Sequence, residues 1–534
     1  MKKKYNMSMG KLNYRNIPFS SFWVILLVTI VVGTTIVFSC PIRFEDNDDI
    51  TSAWIASGIY SGEPDGHLVF INALYGYVVA FLYSICSSIE WYTILYIAFL
   101  MLSSAIAIWF IVKKFQNKYI ICSAIILTYA FLFYFLLNLQ FTTVAAALAF
   151  SGVLLLIDRH FVYGGLLLLV ASLIRFPAAG LVGLMMMPAL VNSYKFEWKH
   201  CYLPLAFVLF IVLGCHYADK LFYQTPELKT FMLRTENMCA GAIQDNPNCW
   251  RVRMNLPDGV STTNFDMIAG FCADPEVVTP EMAIVIHKSL KKIPLLKKVK
   301  NIYRNFLPKY KVWLIGILLV LIIANLKQKK EHIIIAAIVY AIWVGILCFI
   351  SLDATVKFRV FLCTLIPMMY YIIGSLSEIN QKIWCIWTSC GIVLGLMLWG
   401  LLIPAINRIQ IAPKNQEILD EQMALYYQAG DLKIVTDGAD LRVEYFNALH
   451  LRDAIPAGSF VNPYCFAGFP LVPYYHSHKE FINGNLCIFS AKPYNPQGDM
   501  RIKGLKENYN MEVEPYIIAE SANYVLVRYR EVQQ

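Results

Sequence analysis

From Ser20 to Cys40 the chain runs without a single charged side chain, and apolar runs of similar length return along its 534 residues. About 20 such residues in a helix cross the roughly 30 Å hydrocarbon core of a bilayer, and only a helix or a closed barrel can satisfy its backbone there. Repeated runs of this length dictate a polytopic all-α membrane protein. A mean hydropathy of +0.54 and a charged fraction of 15% exclude a soluble enzyme. The formal charge of +9 comes from Lys and Arg that punctuate the apolar runs, the pattern of cytoplasmic loops and not of a nucleic-acid partner.

The first run follows a basic leader, residues 1–19. It is longer than the apolar part of a signal peptide and lacks a small-x-small cleavage site, so it reads as an uncleaved anchor with a cytoplasmic N-terminus. The stretch "EDNDD", Glu45 to Asp49, then lies outside. The next run, His67 to Cys86, decides the topology, being long enough to span yet carrying His67, Asn72 and three tyrosines. If it does not span, eleven helices remain: about 20–40, 92–112, 119–137, 142–157, 161–174, 177–191, 202–218, 312–326, 333–352, 360–376 and 383–403. The leader and inside loops then hold 15 Lys and Arg, against four in the short outside loops (Arg43, Arg175, Lys357 and Arg359). Letting His67–Cys86 span would put ten of the fifteen outside, so the positive-inside bias favours an interfacial or re-entrant helix there. A single kinked span over 161–191 is the competing reading of two short segments, and would also invert every later loop.

The topology leaves an external loop at 41–91, a longer one at 219–310, and a tail, 407–534, outside the membrane domain of residues 20–406. The tail is large enough for its own core. "NQEILDEQMALYYQAG" reads as a helix, and "LKIVTDG", "YIIAE" and "YVLVRYR" as strands, which makes a small α/β extracytoplasmic domain. Cys239 with Cys249, and Cys465 with Cys487, are either disulfides or free thiols. The sequence carries no CxxC, HExxH, Walker A loop or Gly-rich dinucleotide fingerprint.

An anchor, an acidic pair opening "NDDITSAWIASGIYSG", a second interfacial helix entered at "PDGHL", and a span ending in "KK" succeed one another. This order resembles the GT-C superfamily of integral membrane glycosyltransferases. Asp48 and Asp49 stand at that family's acidic pair, Gly58 and Gly62 at its small-residue break, and His67–Leu68 at its helix entry, without the usual prolines. The resemblance covers the N-terminal third best and the tail hardly at all. It implies a GT-C-like membrane domain, a bacterial inner-membrane location, a polyprenyl-phosphate-linked sugar donor, and a glycan, lipid or protein acceptor.

Under that resemblance Asp48 is the expected base for the acceptor hydroxyl. Asp49 would orient the acceptor or, with Asp48, hold a divalent cation such as Mg or Mn, since hard cations favour carboxylate oxygens. The bland alternative is a pair of solvated N-cap residues. Glu45 and Asp46 read as solvated loop charges. Arg175, Lys357 and Arg359 enter the same external surface and read as donor-phosphate ligands or as snorkelling cations. His67 is a phosphate ligand or a helix cap. In the long loop Asn264, Asp266 and Asp274 are acceptor or cation contacts or a solvated turn, and "KSLKKIPLLKKVKNIYRNF" reads as a helix lying on anionic lipid.

The expected function is therefore an inverting sugar transfer, with a polysaccharide polymerase as an enzymatic variant. A transporter or flippase of a lipid-linked substrate is the alternative from another class. Transporters place their ionisable sites near the bilayer midplane, whereas this cluster sits at a mouth.

Overall fold

The computed structural model describes residues 20–59, 62–68, 70–194, 198–224, 239, 241–246, 248–270, 272–274, 276–291, 293–325, 330–376, 383–430, 432–436, 445–451, 461–462, 477–484 and 486–532. Among the described residues eight helices are long and apolar enough to cross a membrane, and Ala73–Ile85 and Phe141–Ile157 are shorter apolar ones. The protein is a multi-pass membrane protein with a small α/β domain at its C-terminal end.

Contacts at the helix ends sort the segments onto two sides. At one end Tyr92 and the backbone of Phe141 meet Asp49, Arg408 meets Phe44, and Tyr310 meets Val356. At the other end Lys113 pairs with Asp158, and Tyr194 donates to the Leu156 carbonyl. Helix Ala73–Ile85 has both of its ends on the first side, where the Ala73 N–H donates to Asp219 and Tyr83 donates to Glu90. Its 13 residues reach only about 20 Å, too short to span. The polar His67–Cys86 run is therefore interfacial, as the charge bias required.

Helix Phe161–Tyr194 contains one residue outside helical geometry, Arg175, with φ −155° and ψ 93°. Pro177 stands two positions later and disfavours a continuous helix. The chain doubles back at this break, because the Tyr194 ring lies 6.0 Å from that of Phe161 at the start of the segment. Residues 161–174 and 176–194 are thus the two limbs of a hairpin and not one kinked span. With them, eleven segments among the described residues run between the two sides. The first limb packs tightly on helix Phe141–Ile157, since a Cβ on Gly152 would stand 2.9 Å from the Gly164 carbonyl oxygen and one on Gly164 2.7 Å from that of Gly152. Small residues let helix backbones approach where apolar burial from water supplies no drive.

Helix Trp91–Lys114 is mostly enclosed and Ser20–Ser39 lies along the outside. Among Trp91–Lys114, Lys118–Leu137, Phe141–Ile157 and Phe358–Leu376 a cavity of about 80 Å³ is lined by apolar side chains including Leu100, Phe110, Phe131, Phe150 and Met369.

The segment after Trp198–Phe222 folds into helices Cys249–Met254, Thr262–Ala269 and Pro280–Lys291 around their own core of Phe265, Ile268, Ala283 and Ile286. The C-terminal domain pairs helix Ala412–Tyr427 with a five-stranded sheet in the order β2-β1-β3-β5-β4. Its strands are β1 Lys433–Thr436, β2 Val461–Asn462, β3 Leu486–Ala491, β4 Val513–Glu520 and β5 Tyr524–Glu531. β1 runs parallel to β2 and β3, and β5 antiparallel to β3 and β4. Cys249 and Cys487 carry free thiols, and Cys465 lies outside the described residues.

Candidate functional site

The acidic stretch is stitched to the membrane domain before its carboxylates are placed. Phe44 forms a parallel bridge with Leu139, with the Glu45 N–H donating to the Leu139 carbonyl at 2.9 Å and the Leu139 N–H to that of Arg43 at 3.0 Å. Arg408 locks the joint by donating to the Phe44 carbonyl and the Asn138 side chain. Helix Asn47–Ser57 then starts with Asp48 and Asp49 in its first turn, and its apolar face buries Ile50, Ala53 and Trp54.

The two adjacent carboxyls face different surroundings. Asp49 is wholly enclosed, and its Oδ1 accepts from the Tyr92 hydroxyl and from the Phe141 N–H, each at 3.0 Å. Tyr96 donates in turn to the Tyr92 hydroxyl at 2.9 Å. Oδ2 is buried without a hydrogen-bond partner. Burial, reinforced by the neighbouring Asp48 charge, holds the Asp49 carboxyl well above the usual range against the pull of its two donors, which favours its neutral form.

Asp48 points to the opening, its side chain 17% exposed and its Oδ2 3.8 Å from Nη2 of Arg359. Burial and the charge on Asp46 push it up to about 7, while Arg359, Lys357 and Arg175 pull it down. A carboxyl that titrates near neutrality and is held among three cations can take a proton at working pH.

Asp46 is bonded to Nη1 of Arg359. Glu45 is lifted above the ordinary carboxylate range chiefly by burial, although Arg359, Arg408 and Lys309 face it. The expectation that both are solvated loop charges is corrected: the Phe44–Leu139 bridge turns them inward against Arg359. Arg175 leaves the hairpin bend, donates to the Phe70 carbonyl at 3.2 Å and lies over the Phe70 and Phe141 rings. Lys357 is half exposed, with Asp245 of the long loop at 3.4 Å. The structure thus brings Asp48, Asp49, Arg175, Lys357 and Arg359 to one mouth.

The remaining candidates lie elsewhere. His67 is bonded to Asp65 at 2.6 Å through Nδ1 and faces the Phe222 carbonyl at 2.9 Å through Nε2. It clamps the first loop to the end of Trp198–Phe222 through both ring nitrogens. Asp266 forms a two-pronged pair with Arg253 at 2.6 and 2.7 Å, and Asn264 accepts from Asn508 of the C-terminal domain. Asp274 is buried, accepting from Tyr509 and from the His478 N–H. These three hold the long loop to itself and to the tail, in place of the contacts or solvated turn expected of them.

For a divalent cation the residues fit poorly. Arg359 already faces Asp46 and Asp48, Asp49 is sealed, and no three His, Cys, Asp or Glu among the described residues gather as ligands. Tyr92, Tyr96 and Arg408 carry no motif that marks them in the sequence. The signal for Tyr92 is its place in "EWYT", an aromatic with a polar tip at the outer end of a span.

No family model matches the chain, and no curated protein matches it. Among solved structures the chain is similar to ArnT from Cupriavidus metallidurans bound to undecaprenyl phosphate. The identity is 13%, the TM-score 0.37, and the match covers 96% of this chain and 98% of that one.

Proposed function

We propose that this protein is a membrane glycosyltransferase of the GT-C kind, taking a sugar from a polyprenyl-phosphate-linked donor and passing it to a hydroxyl on a cell-surface glycan, lipid or protein. The observation that carries this reading is Asp48: a carboxyl poised near neutral pH, at a membrane mouth, 3.8 Å from Arg359 and within electrostatic reach of Arg175 and Lys357. Asp48 takes the acceptor proton as the acceptor oxygen bonds to the anomeric carbon. The bond from that carbon to the phosphate oxygen breaks, and its electron pair leaves with the phosphate. One displacement by one base inverts the anomeric centre. Arg359, Arg175 and Lys357 supply the positive field that the departing phosphate needs, so no general acid is required. The apolar cavity among the helices offers room for part of the donor's chain. Asp49 serves as a neutral anchor for the helix that carries the base.

In this reading the protein sits in a bacterial inner membrane, with the mouth and the C-terminal domain on the extracytoplasmic face. The test is a paired assay of wild type and Asp48→Asn with radiolabelled polyprenyl-phosphate sugars and a membrane-derived acceptor pool, folding being checked by thermal unfolding. Transfer by wild type and its loss, by at least about a hundredfold, in an equally stable Asp48→Asn supports the assignment. Equal transfer by both removes Asp48 as the base, and no transfer by wild type across a broad donor panel removes the enzyme reading.

A further inference from the structure

We propose that the outer portion of helix Leu295–Asn325 is a docking surface for the anionic headgroups of phospholipids in the leaflet on the Asp48 side. This inference is independent of the transferase reading.

The helix runs 31 residues, about 46 Å, while a bilayer core takes about 30 Å of it. The excess lies at the mouth end, where Lys298 pairs with Asp353 at 2.5 Å and the Tyr310 hydroxyl donates to the Val356 carbonyl at 2.8 Å. Both partners stand at the outer ends of neighbouring spans, so the extra turns lie at headgroup level. The face they present continues the lipid-facing stripe of the span. Val312, Ile315, Leu319 and Ile322 are exposed below, and upward from Val312 every fourth residue, Pro308, Arg304, Lys300 and Leu296, is exposed as well. Leu296 is 82% exposed and Tyr303 68%, large apolar groups that water alone would leave unfavourably solvated.

Charge selects the lipid. Between Leu295 and Lys311 there are six Lys and Arg (Lys297, Lys298, Lys300, Arg304, Lys309 and Lys311) and no Asp or Glu.

 Lys298 has Asp353, and Lys309 faces Glu45 at the site. Lys297, Lys300, Arg304 and Lys311 form no salt bridge with any acidic side chain among the described residues. A concentration of positive charge on the side opposite the basic leader runs against the usual loop bias, and an anionic surface is the counterpart that relieves it. Exposed Leu and Tyr between basic residues make the matching amphipathic face.

The test uses the full chain in nanodiscs of phosphatidylcholine containing a minor fraction of phosphatidylglycerol, with the lipids retained on the protein measured by mass spectrometry. Wild type should retain phosphatidylglycerol above its bulk ratio by about fivefold or more. The triple variant Lys297→Gln, Lys300→Gln, Arg304→Gln should fall towards the bulk ratio, while Lys503→Gln on the C-terminal domain leaves it unchanged. An environment-sensitive dye on Leu296→Cys should report an apolar surrounding in the nanodisc. Undiminished enrichment in the triple variant, no enrichment in wild type, or a dye spectrum like that in water would overturn the proposal.

Discussion

At the scale of single residues, two neighbouring carboxyls are given different tasks by what encloses them. Asp49→Asn keeps the shape and neutrality of a protonated acid, so it should keep most stability and activity. Asp49→Ala leaves the Tyr92 hydroxyl and the Phe141 N–H without an acceptor in a buried place, and should lower stability by about 2 kcal/mol in denaturant titrations. Asp48 should appear as a rising limb in the rate against pH, with its midpoint near 7. Its effect on stability has the opposite sense. Its pKa in the fold lies above its ordinary 3.8, so the contribution is fully present below about 4 and is lost as pH rises through about 7. Asp48→Asn should flatten that part of the thermal-stability profile. Arg359→Gln leaves Asp46 and Asp48 facing each other without their shared cation, and should lower stability by about 3 kcal/mol while abolishing transfer.

At the scale of elements, the base is held by helices that its own segment does not predict. The Phe44–Leu139 bridge, the Tyr92 hydroxyl and the start of helix Phe141–Ile157 all converge on a helix of 11 residues, which is too short to be stable alone. The Gly152–Gly164 approach lets the hairpin limb lie close to that helix, and the bend between the limbs carries Arg175 to the mouth. Gly164→Leu should therefore push the limb outward, lowering thermal stability by about 1 to 3 kcal/mol and weakening transfer through Arg175 although residue 164 is remote from the mouth. The long loop shows the same dependence. Asn264 and Asp274 read from the sequence as acceptor or cation contacts or a solvated turn, yet Asn508, Tyr509 and His478 of the tail claim them.

At the scale of the whole molecule, the end contacts require Asn117 and Glu514 to lie on opposite sides of the membrane. Single cysteines introduced at these positions should react from opposite sides with a membrane-impermeant thiol reagent, and reaction from one side would refute the eleven-segment arrangement. Much of that arrangement was legible in the chain, because span length and the placement of Lys and Arg are set by the bilayer and need no knowledge of packing. The interfacial place of Ala73–Ile85 came from charge counting alone. In the C-terminal domain the strands β4 and β5 and helix Ala412–Tyr427 were visible from their patterns. β3 was not, since "LCIFSA" is buried on both faces and shows no alternation. Composition and charge along the chain were enough for the membrane class and the gathering of acid at a mouth, which depend on local composition measured against a slab of fixed thickness, whereas the count of crossings waited on the break at Arg175 that makes 161–194 a hairpin. Tertiary packing seals Asp49 while leaving Asp48 open, sets Arg359 against Asp46, brings Arg175 to the same mouth and ties His67 to Asp65 and the Phe222 carbonyl. Those distinctions arise from segments far apart in the chain meeting in a medium of low dielectric, where a few ångströms decide whether a carboxyl is charged.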